Sequence, residues 1–228
     1  TKIEFRNLFN QTGNNSTAIR TGENFEEGNL VRNYAFRYNE RSIYSGQLSG
    51  SHHLNQERTK INWNLGYSLT RSKEPDYRRL RTFNSIYDTD TSYVVQINTT
   101  ASQQDAGRFY SKLNEDIGMA SADLEQDLYS INEVRKIKLK AGFYAESKTR
   151  SFSARWMSYK RASFDNFDYS LLYLPVDQVF SSENINDSTG FKIDEGTNAT
   201  DKYTADNFLT AGYISISWPI SDKLNASG

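Results

Sequence analysis

Thr59-Lys60-Ile61-Asn62-Trp63-Asn64-Leu65-Gly66-Tyr67-Ser68-Leu69-Thr70-Arg71-Ser72 alternates in character along most of its length. Its odd positions include Ile61, Trp63, Leu65, Tyr67 and Leu69. Its even positions are Lys60, Asn62, Asn64, Gly66, Ser68, Thr70 and Ser72. Successive side chains of a strand point to opposite faces, so the stretch reads as one long strand with an apolar face and a polar face.

The same period recurs on both sides of it. Ile3, Phe5 and Phe9 oppose Glu4 and Arg6. Over residues 34–54, Tyr34, Phe36, Tyr38, Tyr44, Leu48 and Leu54 oppose Arg37, Arg41, Ser45, Gln47 and Ser49. Ile137, Leu139, Ala141, Phe143 and Ala145 oppose Lys138, Lys140, Glu146, Lys148 and Arg150. Phe208, Ile214, Ile216, Trp218 and Ile220 oppose Ser215 and Ser217. Residues 109–128 alternate least cleanly, around Ile117, Met119 and Leu124. The count comes to about six long strands.

Their connections sort by length. Short polar turns are expected at 55–58, 129–136 and 221–225, and long links at 13–29, 73–107 and 158–206. In an up-and-down meander this puts every short turn at one rim and every long loop at the other. Membrane barrels sort their connections this way, whereas long structureless loops are uncommon in compact soluble domains. The strands also exceed the usual soluble length of about five or six residues. The expected fold class is all-β: an antiparallel up-and-down meander forming a partial segment of a large transmembrane β-barrel, with residues 1–228 as one partial barrel domain.

Composition agrees. The chain is 36% hydrophobic yet 14% aromatic, with 15 Tyr and 13 Phe. A sheet with one apolar and one wet face has that balance. No run approaches the roughly 18–20 consecutive apolar residues of a transmembrane helix. Net charge is −1, from 27 basic and 28 acidic residues, which gives no footprint for nucleic acid or for a polybasic membrane binder. Cysteine is absent, which excludes disulfides, thiolate nucleophiles and thiolate metal sites. The first residues are already strand-like, so no secretory leader is expected at Thr1, and the chain reads as the middle of something larger.

Candidate chemistry is sparse. His52 and His53 are adjacent, so on a strand they face opposite ways and cannot readily share a metal. Asp187, Asp194, Glu195, Asp201 and Asp206 gather in the last long link, without the spacing of an EF-hand. Glu26, Glu27, Glu115, Asp116 and Glu146 fix no carboxylate separation of the kind glycoside hydrolysis needs. No nucleophile elbow, phosphate loop or dinucleotide fingerprint is present. No catalytic, cofactor or metal residue is therefore assigned, and an enzyme is not expected. Trp63, Tyr67, Trp156, Tyr159 and Trp218 suit interfacial girdles, Trp63 and Trp218 lying close to expected short turns. Tyr77-Arg78-Arg79-Leu80-Arg81 is expected in a solvated long loop.

Several segments resemble the barrel strands of TonB-dependent outer-membrane receptors. They are Arg37-Tyr38-Asn39-Glu40-Arg41-Ser42-Ile43-Tyr44-Ser45-Gly46-Gln47-Leu48-Ser49-Gly50, then Asn64-Leu65-Gly66-Tyr67-Ser68 running into Glu74-Pro75-Asp76-Tyr77-Arg78-Arg79, and Ala141-Gly142-Phe143-Tyr144-Ala145-Glu146 followed by Arg150-Ser151-Phe152-Ser153-Ala154-Arg155. Leu172-Tyr173-Leu174-Pro175 and Asp194-Glu195-Gly196-Thr197-Asn198 are similar to a loop of the same group. The weight rests on their order along the chain.

The resemblance implies a barrel of about 22 strands around a plug. It implies active import of a bulky nutrient such as a metal chelate or glycan, across the outer membrane. The implied partners are outer-membrane lipid, the nutrient, an inner-membrane energising complex acting through the plug, and a surface lipoprotein. This chain shows no plug and a fraction of the strands, so it matches the middle portion of the barrel. Arg37, Arg41, Gln47, Asn62, Asn64, Lys138, Lys140 and Glu146 would then face the lumen. The 73–107 and 158–206 loops would help to capture ligand. The rival readings are a soluble β-rich glycan-binding module and a passive outer-membrane barrel.

Overall fold

The computed structural model describes residues 1–56, 58–130, 136–221 and 224–228. It is a single antiparallel sheet. Six long strands carry it: β1 (Lys2–Asn24), β2 (Asn29–Leu54), β3 (Thr59–Ser85), β5 (Gly107–Ser130), β6 (Lys136–Arg161) and β8 (Lys202–Ser221). Three short strands complete it: β4 (Val94–Val95), β7 (Phe191–Glu195) and β9 (Leu224–Ser227). The ladder order is β1-β2-β3-β5-β6-β8-β9, a plain meander. Among the described residues no ladder joins β1 to β9, so the sheet is open. No described helix is long and apolar enough to cross a membrane.

The long strands exceed their sequence-based bounds at the loop end. β1 pairs with β2 in unbroken register from Lys2↔Ser51 to Asn24↔Asn29. The expected long link at 13–29 is therefore wrong. Alternation fades beyond Phe9 because both faces of this strand turn polar, yet the backbone ladder continues. β3 likewise runs to Ser85, so Tyr77 to Arg81 are strand residues and not loop. Residues 224–227, expected in a terminal turn, add a strand to β8. The expected short turns at 55–58, 129–136 and 221–225 each include residues outside those described. The two remaining long connections, 86–106 and 162–201, do lie at one rim, beside the tight 25–28 turn.

One local feature resets the pattern. Between Glu74 and Tyr77, β3 holds one more residue than either neighbour, and Pro75 sits in this bulge. Proline cannot donate to a ladder, and a bulge is where a central strand tolerates it. The extra residue flips the faces. Below it, the odd positions of β3 share a face with Tyr44 and Leu48. Above it, the even positions Asp76, Arg78 and Leu80 take that face.

The loops at the rim return to the sheet. β4 extends the edge of β3 above the start of β5, and β7 extends the edge of β6 above the start of β8. Backbone bonds stitch the 86–106 loop between β3 and β6: Arg81 N–H to Asp105 O at 2.7 Å, and Tyr159 N–H to Ala106 O at 2.9 Å. Three short 3-10 segments punctuate the longer loop, at Tyr169–Tyr173, Ser182–Asn184 and Ala199–Asp201.

Candidate functional site

The register assembles a two-faced surface. Trp63 lies opposite Gly50 and Ala122, Leu65 opposite Leu48 and Ala120, and Ile61 opposite His52 and Leu124. The ladders carry the same rows on through Ala141, Phe143 and Ala145 to Ile214, Gly212 and Thr210. Phe5 and Ile3 continue them on β1. One face of six strands thus bears an apolar band, about nine residues tall on β3 (positions 61–69) and shorter on β5, β6 and β8, where Asp116, Thr149 and Asp206 hold the row of Leu69. Its side chains are open: Ile214 is 73% exposed, Phe5 63% and Trp218 54%. The lower border slants across the sheet, since Trp218 and Ile220 extend past the row that ends β3 at Thr59.

The opposite face is polar. Arg37, Arg41, Gln47, Asn62, Asn64, Lys138, Lys140 and Glu146 all share it, as alternation predicted. It is cross-linked by polar pairs: Lys138 and Lys140 flank Glu125 at 3.0 and 3.1 Å, and the Tyr213 hydroxyl reaches over Gly142 to donate to Asp123 at 2.8 Å. On β5 the blurred pattern resolves by face. Leu124 belongs to the band, while Ile117 and Met119 point to the polar side.

Above the band, on the same face, the two loops build the only sizeable core among the described residues. Phe191 and Val179 are fully buried, with Leu80, Val95, Ala106, Phe167 and Leu172 around them. The rings of Tyr159 and Phe180 stack at 3.9 Å, and Phe191 presents to Phe180 at 5.1 Å. Asn186 sets up the turn into β7, its Oδ1 accepting from the N–H groups of Ser188, Thr189 and Gly190. Between this core and the sheet lies a cavity of about 670 Å³, lined by Tyr34, Phe36, Leu80, Tyr159, Val176 and Phe180. Arg78, Arg108 and Asp177 supply its polar edge. Val176, Asp177 and Phe180 of the 162–201 connection close it over residues of β1, β2, β3, β5 and β6.

An ion network fixes the cavity's floor. Arg108 grips Asp76 with two hydrogen bonds, at 2.9 and 2.7 Å, and Arg78 adds a third at 2.5 Å. Burial pushes the Asp76 carboxyl up, but the hydrogen bonds from Arg108 and Arg78 outweigh it and hold the group below its ordinary range. On the outer edge, Arg155 clasps Glu195 through two bonds of 3.0 Å. With Thr197 also donating, Glu195 is held down to about 2.

The structure disperses the sequence candidates. His52 accepts from the Trp63 indole on the apolar face, and neighbouring His53 belongs to the other face. Asp187, Asp194 and Glu195 pair separately with Lys192, Lys160 and Arg155, while Asp201 caps a 3-10 turn and Asp206 accepts from Thr149. Glu115 pairs with Arg150 on the polar face, Asp116 with Arg71 on the apolar one, and Glu146 accepts from Tyr144. Among the described residues, no three metal-binding side chains gather. Trp63, Tyr67 and Trp218 lie on the band face. Trp156 packs tilted against Phe109 at 4.2 Å on the polar face, and Tyr159 enters the loop core, so neither lies on the band. The Asp76–Arg108 network escaped sequence reading, because residues 73–107 read as a loop whereas Asp76 and Arg108 lie on β3 and β5.

No family model, curated protein or solved structure matches this chain.

Proposed function

We propose that this chain is part of the barrel wall of an outer-membrane receptor for TonB-dependent uptake of a bulky nutrient, a metal chelate or a glycan. The observation that carries the reading is the exposed apolar band. It spans six strands, is on β3 as tall as a bilayer-crossing strand is long, and has a polar face behind it. A soluble sheet buries such a face against a second layer, and large bare apolar patches are otherwise rare. In this reading the band meets lipid. The polar face lines the lumen around a plug, through which an inner-membrane complex supplies energy. The loops at the upper rim meet the nutrient, with a surface lipoprotein as a further partner.

The chain has no cysteine, which makes site-directed labelling clean. Single cysteines at positions 61–69, one at a time, are exposed to a water-soluble maleimide in membranes. Labelling at 62, 64, 66 and 68 with protection at 61, 63, 65, 67 and 69 supports the lipid-facing band. The same alternation in a detergent-free monomer returns the soluble glycan-binding module, which buries its odd face against a second layer. Uptake separates the other alternative. In cells carrying the intact gene, import of ferric chelates or oligosaccharides that collapses without the energising complex supports the receptor. Import that persists supports a passive barrel.

A further inference from the structure

We infer that Arg71, Lys73 and Lys112 form a binding site for the phosphate of a membrane lipid headgroup, at the upper border of the apolar band. The inference rests on the lipid-facing reading of that band. Lys73 and Lys112 are direct cross-strand partners of β3 and β5, and both lie on the band face. Like charges directly opposite on one face of an antiparallel pair destabilise it, their Cβ atoms standing about 5 Å apart. Arg71 sits one step below on the same face, opposite Asn114. These side chains line a shallow cavity of about 330 Å³ with Gln11, Glu40 and Ser42.

Two of the three cations have partial compensation. Arg71 pairs with Asp116 at 2.8 Å, and Lys73 reaches Glu40 at 3.3 Å while remaining about half exposed. Lys112 is exposed and has no ion pair among the described residues. The cluster therefore holds an uncompensated positive charge. Directly below it begin Leu69, Tyr67 and Leu65, where acyl chains would lie. An anion lodged above an apolar strip is the chemistry of a phospholipid, whereas free phosphate would gain nothing from the strip. The border is also one-sided. The lower edge carries Trp63, Trp218 and His52, while the upper edge carries the basic row, which continues to Lys202 through Ser153. Basic residues at a membrane surface each gain about 1 kcal/mol against anionic lipid.

The test uses the protein expressed from its intact gene, reconstituted into bilayers of phosphatidylcholine alone or doped with phosphatidic acid. Protease protection of the band reports insertion, and mass spectrometry reports the lipids retained after detergent extraction. The expected result is preferential retention of phosphatidic acid by the inserted protein. That preference falls about fivefold with Lys73→Gln and again with Lys112→Gln, and it is unmoved by Lys138→Gln on the polar face. Inserted protein with no preference, or with a preference that inorganic phosphate abolishes, overturns this inference and leaves the barrel reading standing. Failure to insert overturns both.

Discussion

The indole N–H of Trp63 donates to Nε2 of His52 at 2.9 Å, across the β2–β3 ladder at the lower border of the apolar band. The two rings lie nearly parallel, 6.4 Å apart. The arrangement depends on Gly50, the direct partner of Trp63, since a Cβ there would collide with the indole. His52 gives the indole a polar anchor, as ring donors at an interface require.

Replacing Gly50 with valine should expel the indole and break its bond to His52. The expected cost is about 1–3 kcal/mol from overpacking. In a Trp156→Phe, Trp218→Phe background, the emission of Trp63 should shift to the red. An unchanged spectrum would show that the indole does not rest over Gly50.

Phe191 is completely buried where β7 meets the loop core. Truncation to alanine should cost about 3–5 kcal/mol within that core. The six-strand ladder does not depend on this residue, so the loss should be local. Hydrogen exchange should rise at β7 and at residues 162–184 while protection persists in β2, β3 and β5. Uniform loss of protection across the sheet would refute a separately folding loop cap.

Asp76 holds two arginines together beside the Pro75 bulge. Asp76→Asn leaves Arg78 and Arg108 facing each other without their shared acceptor charge. Because the site is only partly buried, the penalty is about 1–2 kcal/mol. Denaturant titration of the variant against Asp76→Asn combined with Arg108→Gln measures it. Recovery in the double variant is the expected outcome, and a further additive loss would mean the pair is not coupled.

Glu195 makes the outer edge sensitive to acid. Its carboxyl is held from an ordinary 4.5 down to about 2 by Arg155 and then Thr197. A depressed carboxylate contributes fully above its ordinary value and loses that contribution as pH falls towards the depressed one. The β6–β7 edge should therefore be intact at pH 5 and above, and loosen progressively between about 4.5 and 2. Glu195→Gln should remove the transition. Amide exchange at residues 191–195 as a function of pH reads both.

Much of the sheet was legible because alternation is set by local geometry. Wherever one face is apolar, as at Ile61, Trp63, Leu65, Tyr67 and Leu69, each residue declares its own side. The polar-face set from Arg37 to Glu146 followed at once. Legibility failed where both faces are polar. Asn14, Asn15, Ser16 and Thr17 look like a loop, yet pair residue by residue with β2. It failed again at the bulge, where one extra residue reverses every later assignment on β3, and in Tyr77 to Arg81, whose charge suggested solvent.

The candidate site was less legible still. The 73–107 and 158–206 regions were singled out as a pair of loops, yet the first reaches the cavity only through strand residues, Arg78 to Leu80 and Gly107, and only the second contributes loop residues. That Leu80, Tyr159 and Phe180 would meet there depends on the 162–201 connection folding back over β3 and β6, and spacing along the chain carries no such information. The acidic candidates separated for the same reason: Glu115, Asp116, Asp194 and Glu195 each find a cation on a neighbouring strand, while Asp201, Asp206 and Glu146 bond to backbone or hydroxyl groups.

The sequence by itself determined the strands, their order as a meander and the chemical character of each face, because a period of two needs only the backbone's own pleat. The tertiary structure alone decided how far the ladders extend, which face the bulge presents above Pro75, and that the rim loops pack on the apolar side. Those outcomes are fixed by hydrogen bonds and burial between residues tens of positions apart, where a register, once set by one apolar stretch, carries polar neighbours along with it.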